Sequence, residues 1–161
     1  MIILGLDPGL ASTGFGAIFC TEKSAALRAA GRIETLPGEP ITRRLHQIFE
    51  DVNSLIATLH PRLVAIENAF SLVRYPRAGI ILGEVLGVIY LCACQHGLPI
   101  LEITPKEVKN ALVGSGSATK KQIKSATGRI LKIREASSLH AADALAVALT
   151  AYYRKGYADS A

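Results

Sequence analysis

The stretch MIILGLDPGLASTGFGAIFC, residues 1–20, decides the fold expected for this chain. A short apolar run closed by Asp7 is typical of a buried strand. The following segment, PGLASTG, is rich in Gly, Ser and Thr and therefore predicts a turn. GFGAIFC predicts a second strand, and AALRAAGRIE, residues 25–34, predicts a third, although its alanines are poor strand formers. The chain is thus expected to begin as a meander of three strands.

Helices and two further strands make up the rest of the chain. Apolar residues recur at the helical period in residues 40–60, where Pro40 suits the first turn of a helix. The apolar runs LVAIE and LPILEI predict the fourth and fifth strands. Four more helices are predicted over residues 78–96, 104–113, 119–131 and 137–154, the last with Ser137 or Ser138 as its N-cap.

This order of elements predicts an α/β fold in layers, with a mixed five-stranded sheet flanked by helices. A strand-helix-strand crossover would place LVAIE parallel to another strand. The length of 161 residues suits a single domain, so residues 1–161 are expected to form one unit with a substantial core.

Positive charge is concentrated in one part of the chain. Residues 103–134, called the basic segment below, hold eight Lys or Arg and one acidic residue, a net charge of +7. The remaining residues carry a net charge of −2. Two interpretations stay open on charge alone, a solvated basic face or a surface that binds phosphates.

The composition argues against a membrane or secreted protein. The most apolar stretch, AGIILGEVLGVIYLCACQHG, is interrupted by Glu84 and spaced by glycines, which favours a buried helix over a transmembrane one. The N-terminus turns acidic too early for a signal peptide. Three cysteines form no paired framework, and Cys92 and Cys94 are expected to be core thiols. We therefore expect a cytoplasmic protein without a membrane partner.

Four side chains stand out as candidates for a metal site. Asp7 and Glu67 each close an apolar strand, and they would meet at one end of the sheet if those strands are neighbours. His140 and Asp143 share one face of an otherwise apolar helix, where an unpaired charge is costly. Each residue alone has an ordinary explanation, as a turn acid or a satisfied core histidine. Together, beside the basic segment, they indicate a metal-dependent nuclease.

Four stretches, GLDPGLASTGFG, AIENAF, TPKEVKNALVGSGSATKKQI and HAADALAVALTAYY, carry a family resemblance over nearly the whole chain. They resemble the RuvC family of Holliday junction resolvases, of the RNase H-like superfamily. The resemblance implies a homodimer that resolves four-way junction DNA by paired symmetric nicks in homologous recombination and DNA repair. It also implies two Mg²⁺ or Mn²⁺ ions in each active site, and 5′-phosphate ends that a ligase can seal.

The resemblance also implies roles for individual residues. The catalytic and metal-binding positions of the family fall on Asp7, Glu67, His140 and Asp143, with histidine where many members carry aspartate. Phe70 matches an aromatic residue that stacks on a base at the junction. Lys109 and Lys120 match lysines near the scissile phosphate. The other DNA-binding residues that we expect are Lys121, Arg74 and Arg77.

The mechanism implied for such a site is hydrolysis assisted by two metals. Asp7 would bridge the ions, one activating water and the other stabilising the leaving 3′ oxygen, while Lys109 or Lys120 offsets charge on the phosphate. His140 has two possible roles. As a ligand, its imidazole would favour Mn²⁺ over Mg²⁺. Alternatively, it would orient or deprotonate the attacking water.

Three other functions compete with this interpretation. An RNase H-like nuclease that acts on RNA or on processing intermediates would carry similar acids. GLDPGLASTG also resembles the first phosphate loop of actin-like ATPases and sugar kinases, although these need a second lobe. A DNA-binding module without catalysis is the third.

The assembly of the protein is less constrained by the sequence. The helix over 78–96, with Gly83 and Gly87 on one face, is the candidate dimer interface, and packing within the chain is the alternative. Contact with the RuvA and RuvB branch-migration proteins is a further partnership that the resemblance raises.

Overall fold

The computed structural model describes residues 1–68, 76–133 and 138–158, with the backbone alone described for Pro76 and residues 155–158. The strands are β1 (Ile2–Asp7), β2 (Ser12–Cys20), β3 (Ala25–Glu34), β4 (Leu63–Glu67) and β5 (Ile100–Ile103). The helices are α1 (Ile41–Leu59), α2 (Pro76–Gln95), α3 (Pro105–Val113), α4 (Lys120–Leu131) and α5 (Leu139–Ala158).

The five strands form one mixed sheet in the order β3-β2-β1-β4-β5. The first three strands pair antiparallel as the predicted meander, and β4 is parallel to both β1 and β5. The predicted α/β fold, including the parallel placement of LVAIE, is therefore confirmed. Strand β3 forms in spite of its alanines because it pairs with β2 from Ala25 to Glu34, and pairing outweighs intrinsic preference.

Helices cover both faces of the sheet. On one face, α5 packs with α3 and α4 over strand residues such as Ile3, Ala65 and Ile103. On the other face, α1 and α2 pack over Leu6 and Ile66, among others. The alternation of side chains along β4 therefore points Ala65 at α5 and Ile66 at α2.

Glycines in β1 and β2 let α5 lie unusually close to the sheet. A Cβ atom at Gly5 would collide with the backbone of Ala144 and Ala148, and one at Gly14 would collide with the carbonyl group of His140. A glycine inside a strand commonly marks such a close approach of another backbone. The packing of α5 on these glycines fixes the depth at which its polar residues meet the strand ends.

Helix α2 is only partly buried, so the expectation of a buried helix holds for one of its faces. Val85 and Ile89 are fully buried, whereas Ile80 is 65% and Leu91 52% exposed. Cys94 is also exposed, and its prediction as a core thiol is wrong because it lies on the outer side of the helix. By length and composition Arg77–Gln95 could cross a membrane, which is weak evidence because core helices of soluble proteins pass the same test.

The helices that carry candidate site residues begin at well-defined caps. Thr104 and Thr119 form capping boxes at the starts of α3 and α4. The Ser138 hydroxyl accepts a hydrogen bond from the backbone N–H of Ala141 at 3.0 Å, as expected for the N-cap of α5. Pro40, predicted in the first turn of α1, lies one residue earlier, at the N-cap.

Candidate active site

The two strand-terminal acids lie at the same edge of the sheet. Leu6 of β1 pairs with Ile66 of β4 in parallel register, so the next residues, Asp7 and Glu67, end neighbouring strands side by side. The Asp7 side chain is only 17% exposed. Two carboxylates so close together repel each other, and the arrangement requires compensating charge or a proton.

His140 provides one compensating partner from the far end of the chain. Its Nδ1 atom lies 2.9 Å from Oδ2 of Asp7 and donates a hydrogen bond to this carboxylate when it carries the proton. The contact joins the first strand to the last helix. The imidazole that the sequence leaves without a local partner is therefore paired with the first of the predicted site acids.

Asp143, one turn further along α5, pairs with a lysine of the basic segment. The Nζ atom of Lys120 lies 3.5 Å from Oδ2 of Asp143. Burial raises the pKa of Asp143, while the ammonium of Lys120 acts in the opposite direction. The charge of Asp7 also raises this pKa, which places Asp143 within electrostatic reach of the strand-terminal acids.

The pKa of Glu67 reflects the concentration of negative charge at this edge of the sheet. Burial, the charge and hydrogen bond of Asp7 and the charge of Asp143 together raise the pKa of Glu67 to about 8. The distant ammonium of Lys120 offsets only part of this effect. At neutral pH Glu67 therefore holds a proton, unless another cation takes its place.

The residues present fit a hard divalent cation in kind and charge. Carboxylate oxygens are the preferred ligands of Mg²⁺, and imidazole extends the set towards Mn²⁺. Within residues 1–68, 76–133 and 138–158, no three His, Cys, Asp or Glu side chains already converge on a single point. Asp7 is engaged by His140, and Asp143 by Lys120. Ion binding would therefore exchange these two contacts, and the proton on Glu67, for metal coordination.

The predicted DNA-binding residues that the structure describes lie on three helices. Lys120 and Lys121 lie in the first turn of α4, Lys109 lies on α3, and the exposed Arg77 lies in the first turn of α2. Of these, Lys120 contacts a site carboxylate directly. Phe70 and Arg74 lie outside the described residues.

One polar cluster next to the site was missed by sequence reasoning. Asn68 is 4% exposed, and its side-chain amide donates to Oε2 of Glu102. The hydroxyl of Tyr90 donates to the other oxygen of the same carboxylate at 2.6 Å. Each of these residues interrupts or ends an apolar run. The argument that singled out His140 and Asp143, namely that a polar group among apolar ones needs a partner, would have found them.

Comparison with known proteins places this site in a family. The family model described as "Crossover junction endodeoxyribonuclease RuvC" matches residues 3–151. The chain is 37% identical over 150 residues to the protein of that name from Natranaerobius thermophilus, covering 92% of each chain. It is 41% identical over 157 residues to the one from Gloeobacter violaceus, covering 95% of this chain and 88% of that one.

A solved structure agrees with these sequences. The structure of "T. thermophilus RuvC in complex with Holliday junction substrate" matches with a TM-score of 0.90 and 33% identity, covering 96% of this chain and 95% of that one. Because the family model spans most of the chain and these relatives align over nearly all of it, the chain belongs to the RuvC family of crossover junction endodeoxyribonucleases.

Proposed function

We propose that this chain resolves Holliday junctions by a pair of symmetric nicks in homologous recombination and DNA repair. Its family consists of metal-dependent nucleases, and a relative that is 33% identical has been solved with a Holliday junction. Family membership argues against the actin-like ATPase and sugar kinase alternative. A function without catalysis is disfavoured because the polar side chains of the site are all present.

The observation that carries the proposal is that four polar side chains from three elements lie at one edge of the sheet. Asp7 ends β1, Glu67 ends β4, and His140 and Asp143 project from α5 towards them. A stable fold does not need this concentration of charge, because buried carboxylates cost free energy unless they are paired. We therefore assign this sheet edge to catalysis.

The proposed division of labour follows from the electrostatics. Two Mg²⁺ or Mn²⁺ ions would supply activation of the attacking water and stabilisation of the leaving 3′ oxygen. Asp7 raises the pKa of both Glu67 and Asp143, so it is central among the acids, and we assign it as the residue that holds both ions. Glu67 and the pair His140 and Asp143 complete the two ligand sets.

The basic residues would act on the DNA. In the free protein Lys120 neutralises Asp143, and we propose that its ammonium turns to the scissile phosphate when cations take over that carboxylate. Lys109 would act beside it. Lys121, Arg74 and Arg77 would hold backbone phosphates, and Phe70 would stack on an unpaired base. The resulting nicks would carry 5′-phosphate ends that a ligase can seal.

Two symmetric nicks call for two copies of the site related by a twofold axis. The outer face of α2 offers a surface for a second copy, since it exposes Ile80, Ile81 and Leu91. A Cβ atom at Gly83 or Gly87 would meet nothing within 4 Å, so another helix could approach closely there. We propose a homodimer through this face, formed in the cytoplasm by a single-domain chain, with the RuvA and RuvB proteins as further partners.

Replacement Asp7→Asn tests the proposal most directly. It removes the central charge while keeping the size of the side chain, so cleavage of a synthetic four-way junction should fall at least about 100-fold. Junction binding, measured by gel shift without divalent metal, should be retained. Glu50→Gln, at an exposed carboxylate on α1, is the matched control. An Asp7→Asn protein that cleaves at the wild-type rate would contradict the assignment, and faster cleavage of an RNA–DNA hybrid would favour the rival nuclease.

A further inference from the structure

The residue after Glu67 is anchored on the opposite side of the sheet. Side chains alternate along β4, and the pairing of Ile66 with Glu102 places both on the face covered by α2. Asn68 follows the same alternation, and its backbone N–H still donates to the carbonyl oxygen of Ile103 at 2.9 Å. The Glu67 side chain and the Asn68 side chain therefore lie on opposite faces of one backbone segment.

Three side chains, those of Asn68, Glu102 and Tyr90, form the hydrogen-bonded anchor of this segment. The carboxylate of Glu102 accepts one hydrogen bond from the Asn68 amide and another, at 2.6 Å, from the Tyr90 hydroxyl. Burial and the bond to Glu102 raise the pKa of Tyr90 to about 12, so its hydroxyl stays a donor over the whole working range of pH. Tyr90 belongs to α2, whereas Glu102 belongs to β5. The anchor thus joins the end of β4 to a second strand and to a helix.

This anchor matters because the Glu67 carboxylate lies in an unfavourable electrostatic environment. Strands β1 and β4 end side by side, so the Glu67 carboxylate lies next to that of Asp7, and two neighbouring carboxylates repel each other. A side chain under this repulsion moves away unless its backbone is fixed from the other side. Displacements of about 1 Å at a reacting centre can cost about 100-fold in rate.

We infer that Asn68, Glu102 and Tyr90 are positioning residues that hold the backbone under Glu67 and make the placement of its carboxylate depend on α2. The inference rests on the proposed function insofar as Glu67 is a ligand of the active site. It goes beyond that function because the three side chains lie on the α2 face of the sheet, whereas Asp7, Glu67, His140 and Asp143 lie on the α5 side.

The first test compares Tyr90→Phe with Tyr152→Phe, a matched loss of one hydroxyl on α5. Tyr90→Phe should lower the single-turnover cleavage rate about tenfold, since a hydrogen bond to a charged group is lost. Junction affinity should stay within about twofold, because phosphate contacts dominate binding. Calorimetry should show weaker Mn²⁺ binding to the DNA-free protein, while Tyr152→Phe leaves all three quantities at the wild-type level.

The second test exchanges the partners of the Asn68–Glu102 hydrogen bond. Asn68→Asp alone places two carboxylates against each other and should lower the rate and the Mn²⁺ affinity more than Tyr90→Phe does. Combining it with Glu102→Gln restores an amide and a carboxylate in reversed order. The double variant should recover most of both quantities. If these residues contributed only to stability, a variant whose melting temperature matches the wild type would have no loss of metal binding to recover.

The outcomes separate this inference from the proposed function. A wild-type protein that binds Mn²⁺ but does not cut four-way junctions would contradict the proposed function, and calorimetry would still test the positioning network. A wild-type protein that cuts junctions, together with a Tyr90→Phe variant indistinguishable from Tyr152→Phe in rate and Mn²⁺ affinity, would overturn the network. Failure of the double variant to recover either quantity while folded would do the same.

Discussion

Helices α2 and α5 are each 20 residues long and rich in apolar residues, yet they are used in opposite ways. Helix α5 is buried almost continuously from Ala141 to Ala151, and His140 and Asp143 near its start face the strand-terminal acids. Helix α2 buries only one face and exposes Ile80, Ile81 and Leu91. Similar composition therefore leads to a helix that carries proposed catalytic residues in one case and to a candidate docking surface in the other.

The difference lies in what each helix packs against. Under α5, the strands present Gly5, Gly14 and Gly16, and these let Ala144, His140 and Leu145 of the helix, respectively, approach the backbone of the sheet closely. Under α2, larger side chains of the sheet and of α1 keep the helix further out. A helix that fits into glycine positions is held at one depth, which suits the placement of catalytic groups. A helix that rests on side chains retains an outer face for other contacts.

The largest effect is expected where α5 meets the sheet. Gly5→Ala would force a methyl group into the backbone of Ala144 and Ala148, so it should destabilise the protein by about 3 kcal/mol or more. The melting temperature followed by circular dichroism should fall by roughly 2–4 °C per kcal/mol. Gly38→Ala, where a Cβ atom meets nothing within 4 Å, is the control. Equal melting temperatures for the two variants would refute the close packing of α5.

A charge on the outer face of α2 should separate the subunits and leave each of them folded. Leu91→Asp places a carboxylate where a second copy is proposed to dock, and burying an unpaired charge there is strongly unfavourable. Light scattering should show a monomer with an unchanged circular dichroism spectrum. Leu36→Asp, at a more exposed leucine outside the helices, should remain dimeric. A Leu91→Asp dimer of wild-type stability would place the interface elsewhere.

The charge of the site should make the metal-free protein less stable as pH rises. The pKa of Glu67 is about 8 in the folded chain and near its ordinary value of 4.5 after unfolding, so stability is lost as pH rises from about 4.5 to 8. Burial raises the pKa of Asp143 and adds to the same trend. In EDTA, the melting temperature should fall by a few degrees between pH 5.5 and 8.5.

Two comparisons check the origin of that trend. Glu67→Gln should flatten the dependence on pH, whereas Glu50→Gln at an exposed site should leave it unchanged. Added Mn²⁺ should stabilise the wild type more at pH 8.5 than at pH 5.5, because a metal competes with the proton on Glu67. A slope that persists in Glu67→Gln would assign the effect to other groups.

The smallest effect is expected for the metal preference set by His140. Its imidazole contacts Asp7 and suits Mn²⁺ better than a carboxylate would. His140→Asp should therefore lower the ratio of cleavage rates in Mn²⁺ and Mg²⁺ by a few-fold. His46→Asp, at an exposed position on α1, serves as the control. An unchanged ratio would favour the role of His140 as a base or orienter of water.

Sequence patterns predicted the elements well because apolar periodicity and caps are local signals. IILGLD, LVAIE and the Thr-Pro start of α3 all form where the pattern places them. Strand β5 is shorter than predicted, since LPILEI pairs only from Ile100 onwards. The need of His140 for a partner followed from the reasoning that an isolated polar group is costly. Identifying Asp7 as that partner required the order of strands in the sheet.

Long-range packing could not be predicted from sequence patterns in the same way. The partial exposure of α2 depends on which neighbours cover it, and composition alone made it resemble a core helix. The close approach of α5 was signalled by glycines inside predicted strands, a signal that periodicity overlooks. The network of Asn68, Glu102 and Tyr90 spans three elements, and no local pattern links its members.

The bond between Asp7 and His140 joins residues that are 133 positions apart in the sequence. A ribosome adds about 5–20 residues per second, so roughly 7–27 s separate the synthesis of the two residues. By the end of this interval the nascent chain carries its basic segment, whereas most of α5 is still to be made. A fragment that ends before α5 lacks His140 and Asp143, so we expect it to keep its basic residues but not to cleave DNA.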